Sequence, residues 1–403
     1  MQKSRTRRIF VVAGILSLLV SYLGIWTRFI NNPTERTGSD FIAFYTAGRI
    51  ARQEGTQVVY NPSLQQQIQQ EVVGFPLVPG QVLLYNHLPF LIPVLQLIVN
   101  ADYVASFYRW ILLLGICYVA GLILLSQMLI QQGIDRVSTV LAALGAFLFL
   151  PVFFSFMNGQ DTAILFLGLS LWMYGLSSDR EYLAGLGLAL ATVRPHIALV
   201  LAIPMLFYSI RVFGAFVIGS GILAFFSLFI LGAAGTREFI HILSLSAGGE
   251  WYGMKENVMF NLIGLLTRTL PQYSPVVIRM VGWLSYGVSI VGLCLLWSKG
   301  GKKQSLPVGL SVILALIFAP HLHFHDLALL LIPIYGWILQ SHESGKLGTP
   351  LAILAPIAVS LLFLISNSTP YLQYTIPYVV MLGLAAYPYY KGSGTPITTP
   401  HRS

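Results

Sequence analysis

The sequence predicts an all-α fold, a polytopic transmembrane helical bundle, and three observations carry that prediction. Charged residues are 9% of the 403, about a third of the share usual in a soluble domain. Hydrophobic residues make up 56%, and the mean hydropathy is +0.75. Apolar runs of about 20 residues, the length that crosses a bilayer, recur along the chain. A β-barrel is excluded, because its strands would alternate in short segments.

The chain opens with the basic stretch KSRTRR, Lys3 to Arg8, followed by the apolar run IFVVAGILSLLVSYLGIWTRFI. That run is too long for the core of a signal peptide, and no small-x-small cleavage site follows it, so it reads as a retained first helix. Further apolar segments fall near 103–130, 137–157, 162–177, 183–193, 197–210, 213–233, 276–297, 306–320, 326–340, 349–366 and 370–390. The stretch 82–98 is apolar but holds Asn86, His87, Pro89 and Pro93, and reads as re-entrant or interfacial. Cys117 and Cys294 sit inside apolar runs, far apart, as small lipid-facing or core residues. No internal repeat is visible. The expected organisation is a single domain, 1–403, with external loops at about 31–100 and 235–275 and a cytoplasmic tail at about 391–403.

Charge sets the expected topology. The net charge of +9 suggests nucleic acid at first sight, but no basic patch with interleaved aromatics is present. Lys and Arg collect instead at KSRTRR and at KGGKK, Lys299 to Lys303, as cytoplasmic loops of membrane proteins do. With KSRTRR inside, NGQD (158–161) and HLHFHD (321–326) lie outside, and both termini are cytoplasmic. The segment LAGLGLALATVRPHIALVLAIPMLFY is either one long helix or a hairpin broken at Arg194-Pro195. Proline removes a backbone donor and disfavours helix in the residue before it, which favours the hairpin. A single helix would bury Arg194 near mid-bilayer, at a cost of at least a few kcal/mol. It would also require 258–270 to cross the membrane.

Under the hairpin topology the unusual polar residues gather on the outer face, where ionisable groups at membrane depth are functional candidates. Asp40, in SDFIAFYTAGR, is either a general base for an attacking hydroxyl or a helix N-cap. Ser39 can take the cap and leave Asp40 free. Tyr45, on the same helical pattern, is a candidate sugar or acceptor contact. Arg194, between a helix break and His196, suits a phosphate, which a guanidinium grips with two parallel bonds. Its bland alternative is snorkelling to headgroups. Asn158, Gln160 and Asp161 form a tight turn whose polar groups can bond a sugar. His321, His323 and His325 with Asp326 could hold a metal, but the favoured reading is a phosphate or sugar contact and no cofactor.

Five of these stretches, SDFIAFYTAGR, NGQDTAILFLGL, LAGLGLALATVRPHIAL, NVMFNLIGLL and APHLHFHDLALLLIP, resemble in order the pattern of glycosyltransferase family 87. That is the bacterial polyprenyl-phosphate-mannose-dependent branch of the GT-C superfamily. The resemblance spans about 38–335. The family often has Lys-Pro-Gln where this chain has Arg194-Pro195-His196. The resemblance implies a GT-C fold with its active-site cavity on the non-cytoplasmic face. It implies Asp40 as the base and Arg194 in the place of the Lys of Lys-Pro. Arg194, His196, His321 and His325 are together the candidates for the donor phosphate. Asn261 would match the Asn-x-x-Gly motif, and His321 and Asp326 the Pro-His…Asp-Leu motif, with Asn261 and Asp326 toward sugar or acceptor.

The expected function is inverting transfer of a hexose, mannose by the resemblance, from a polyprenyl-phosphate donor to a glycan or glycolipid outside the cytoplasmic membrane. The expected partners are that donor, that acceptor and membrane lipid, with no nucleic acid. No Gly-rich phosphate loop is present, so no nucleotide is expected. The rival reading is a transporter or flippase for a lipid-linked sugar, which would favour matching halves.

Overall fold

The structure, a computed structural model, describes residues 2–248, 255–299, 305–343, 348–366 and 369–392. Among them there are helices and loops but no strand. The basic run beyond Lys299, Glu250 and the tail beyond Gly392 lie outside the described residues.

Helix α1 (Gln2–Asn31) leaves Val12, Leu16, Leu19, Val20 and Leu23 exposed while Leu18, Tyr22 and Phe29 pack inward. Large exposed apolar side chains on one stripe mark a lipid-facing belt. Asn32 caps α2 (Pro33–Thr37), which turns the chain out of the bundle. Helices α3 (Phe41–Gln53), α4 (Pro62–Val73) and α5 (Ile92–Ile98) then pack together as a layer of short helices, the external layer, at the end of the bundle that the charge pattern leads one to expect outside. Two glutamines on α4 staple the stretch before α5. Gln65 accepts from Tyr85 N, and Gln69 bonds Leu83 through both N–H and C=O. The backbone of Leu83 and Tyr85 is thus satisfied by side chains of α4, outside any long helix.

Helix α6 (Tyr103–Gln131) returns through the bundle, its Leu112, Ile116 and Ile123 facing outward. Helices α7 (Arg136–Phe147) and α8 (Leu150–Asn158) form one bent pair, turned by 47° where Pro151 starts the second. Helix α9 (Thr162–Ser177) is buried along nearly its whole length.

The chain then doubles back. Helix α10 (Glu181–Leu190) runs into a 3-10 turn at Ala191–Val193 and ends at Arg194, whose φ of −123° and ψ of 83° are not helical. Helices α11 (Pro195–Ala202) and α12 (Met205–Tyr208) lead away again. Glu181, at the start, accepts from Ser209 Oγ (2.7 Å) and Arg211 Nη1 (3.0 Å), just past the end. The two ends of the segment therefore share one level and Arg194 is the tip of a hairpin. Neither arm is long enough to span a bilayer. Each is shielded, α10 by α9 and α13, α11 by α15 and α16. A Cβ on Gly187 would fall 2.5 Å from the Gly168 carbonyl oxygen, so glycine is required where α9 and α10 meet.

Helix α13 (Ile210–Gly248) is kinked at Gly232 and reaches the external layer, where Thr56 Oγ1 donates to Ile230 O. The helix thus continues past residue 235, where the sequence suggests that a loop starts. Helix α14 (Leu262–Thr269) is too short to cross, which removes the rival topology. Helix α15 (Pro275–Lys299) descends beside the hairpin, with Tyr286 donating to His196 O and Trp297 against Tyr208. Helices α16 (Ser305–Phe318), α17 (Leu331–Glu343), α18 (Gly348–Ser366) and α19 (Pro370–Gly392) complete the bundle. Among the described residues five helices can cross a membrane by length and composition, and the bent pair makes a sixth.

A leucine at Gly187 meets backbone on two sides. It should destabilise the protein by about 1–3 kcal/mol, read as a lower melting temperature in detergent. A leucine at Gly214, with open space around it, should not.

Candidate active site

One cavity of about 430 Å³ opens where the external layer meets the hairpin tip. Asp40, Asn86, His87, Asn158, Gln160, Arg194, His321, His323 and His325 form its polar wall. Phe154, Phe260, Phe324 and Tyr374 also line it, interspersed with the polar groups.

Asp40 occupies the N-cap position of α3 but its side chain makes no cap bond. Ser39 does not cap either, since its Oγ donates to Arg36 O. Asp40 is free to accept from Gln160 Nε2 at 2.7 Å. Gln160 is aimed by the turn before it. Gly159 has φ +67°, and a Cβ there would lie 2.7 Å from that of Phe41. Only glycine lets the turn sit under the first residue of α3.

Gln160 joins the acid to the cation. Its Oε1 accepts from Arg194 Nη2 at 2.8 Å while its Nε2 serves Asp40. Arginine only donates and an ionised carboxylate only accepts, so this amide orientation is the one that satisfies both. Arg194 Nη2 also lies 2.9 Å from Asp161 Oδ1, and its Nε lies 3.8 Å from Asp326 Oδ1. Asp161 is wholly buried and its other oxygen takes His87 Nδ1 at 2.9 Å. Burial alone would raise the Asp161 pKa; Arg194 and then His87 overturn that and hold it at about 2. Asp326 accepts from His323 N and Thr162 Oγ1, tying the histidine segment to the first turn of α9.

The charge of Arg194 is thus offset by two carboxylates. Anion binding at this tip must come from directed N–H groups more than from net charge. His321 supplies one candidate, as its Nδ1 is buried without a partner. Burial, and then His325, push the His323 pKa down to about 4, so that ring is neutral at pH 7. Among the described residues no three His, Cys, Asp or Glu side chains converge as a metal site.

Of the sequence candidates, Asp40, Asn158, Gln160, Arg194, His321 and His325 line the cavity together. Others stand behind or away from it. Asp161 and Asp326 are buried and hold Arg194, so they position the wall and do not reach a sugar. His196 sits behind His321, ring centroids 6.5 Å apart, with no place in the cavity lining. Tyr45 turns away, its hydroxyl donating to Ala101 O. Asn261 caps α14 and bonds Ala319 O, which anchors the loop leading to His321. Two lining residues carry little signal in the sequence. His87 lies in an apolar stretch, marked only by its polar neighbours, and Tyr374 lies on the last helix among many aromatics.

A carboxylate and a guanidinium in one cavity of a multi-pass bundle fit a membrane-embedded enzyme. The chain matches glycosyltransferase family 87 over residues 87–320, more than half its length, and it belongs to that family, which is of GT-C type. The match stops short of Asp40 and of the segment from His321 to Asp326. The search of curated proteins gives no match. Family membership sets aside the transporter reading.

Asp161→Ala removes the nearest counter-charge of a buried arginine and should destabilise the protein by about 3–5 kcal/mol, measured by unfolding in detergent. Arg211→Ala, which breaks the exposed pair with Glu181, should leave the melting temperature almost unchanged.

Proposed function

We propose that the protein catalyses inverting transfer of a hexose, mannose in the first instance, from a polyprenyl-phosphate donor to a hydroxyl of a glycan or glycolipid. The reaction takes place at the non-cytoplasmic face of the cytoplasmic membrane, with both termini inside. The observation that carries this reading is the bridge Asp40–Gln160–Arg194, which couples a carboxylate to a guanidinium across one cavity.

Asp40 takes the proton of the acceptor hydroxyl as its oxygen attacks the anomeric carbon. The bond from that carbon to the phosphate oxygen breaks, and polyprenyl phosphate leaves with the electron pair. Arg194, with N–H groups of His321 and His325, stabilises the charge that develops on the leaving oxygen. Attack from the face opposite the phosphate turns a β-linked donor into an α-linked product. Asn158 and Tyr374, both in the cavity lining, would contact the sugar ring.

Purified protein given labelled polyprenyl-phosphate-mannose and glycolipid acceptors should form a mannosylated product. Asp40→Asn should lower turnover by about a hundredfold or more with no drop in melting temperature. Transfer from nucleotide sugars alone, or full activity in Asp40→Asn, contradicts the reading.

A further inference from the structure

His87 lines the cavity, yet the chemistry above gives it no task. It is held more firmly than a spare lining residue needs to be. Its Nδ1 lies 2.9 Å from Asp161 Oδ2. Its ring packs against Phe44, tilted by 39° with centroids 4.3 Å apart, and its own carbonyl accepts from Tyr60 Oη at 2.6 Å. Asp161 is buried and ionised, so it can only accept and Nδ1 must carry the hydrogen. Nε2 is the ring nitrogen that Asp161 does not engage, on a residue that lines the cavity. Asp161 thereby fixes two groups at once, Arg194 through Oδ1 and His87 through Oδ2.

We propose that His87 is a sugar-recognition residue whose Nε2 accepts a hydrogen bond from a hydroxyl of the sugar ring bound between Asp40 and Arg194. A lone pair repels phosphate oxygens and suits a hydroxyl. Asp40 Oδ2 and both ends of the Gln160 amide are already engaged with each other and with Arg194, so a rigid free acceptor has to come from elsewhere on the wall. The inference rests on the glycosyl-transfer reading and adds the atom that selects the sugar. A site built to bond a hydroxyl rejects the analogue that lacks it.

Two measurements test it. The first needs no turnover: nitrogen NMR of histidine-labelled protein in detergent, with the His87 signal assigned by its loss in His87→Gln. The expected pattern is the Nδ1–H tautomer in wild type and a change of pattern in Asp161→Asn. An Nε2–H tautomer in wild type overturns the proposal. The second is binding of a short-chain polyprenyl-phosphate mannose, of methyl α-mannoside and of the monodeoxy forms of each. Wild type should bind one monodeoxy form roughly tenfold more weakly than its parent. His87→Ala should lose that discrimination and His87→Gln, which keeps an acceptor oxygen, should retain part of it. The series that discriminates tells whether the hydroxyl belongs to donor or acceptor. Equal discrimination in wild type and His87→Ala, or no binding of either series, overturns the proposal. If the tautomer and the discrimination hold while no transfer is seen, the transferase reading fails by itself.

Discussion

The buried carboxylate of Asp161 needs partners, and much of the architecture around the cavity supplies them. A charge out of water is tolerated only when paired and hydrogen-bonded. Asp161 sits at the start of α9, and the chain must return to the same level before it can offer a counter-ion. The hairpin of α10 and α11 does this, delivering Arg194 at its tip. The external layer does it from above, delivering His87. Two segments far apart in sequence are thus locked to one turn, and the cavity is the space left between them.

The same pairing shapes the chemistry. An arginine matched to Asp161 and Asp326 is not a loose cation that draws any anion. It is a fixed fork whose angle is set by its neighbours, and such fixed groups favour a transition state over a ground state. Gln160 carries that order to Asp40, so the carboxylate and the guanidinium hold a constant separation. Phe154, Phe260, Phe324 and Tyr374 give the cavity apolar surface beside these polar groups, the usual make-up of a small-molecule site.

Much of this was legible in the sequence. Long apolar runs gave the bundle, and the proline after Arg194 gave the hairpin, because a missing donor acts locally. Asp40, Gln160, Arg194 and His321 stood out as costly groups among apolar neighbours. What was not legible depended on direction. Spacing does not tell which face of α3 Tyr45 takes, and it points away. Asn261 matched a motif, yet its side chain caps a helix. Asp161 and Asp326 looked like contacts for a sugar and proved to be supports for an arginine. His87 was obscured because its meaning lies in a partner 74 residues away.

The most direct measurement is a map of the protein in a bilayer mimic with a non-hydrolysable polyprenyl-phosphate hexose bound. The phosphate should lie within hydrogen-bond reach of Arg194, with the anomeric carbon turned toward Asp40 and the lipid leaving between helices. A phosphate on the other side of the bilayer, or an anomeric carbon walled off from Asp40 by packed protein, refutes the proposal.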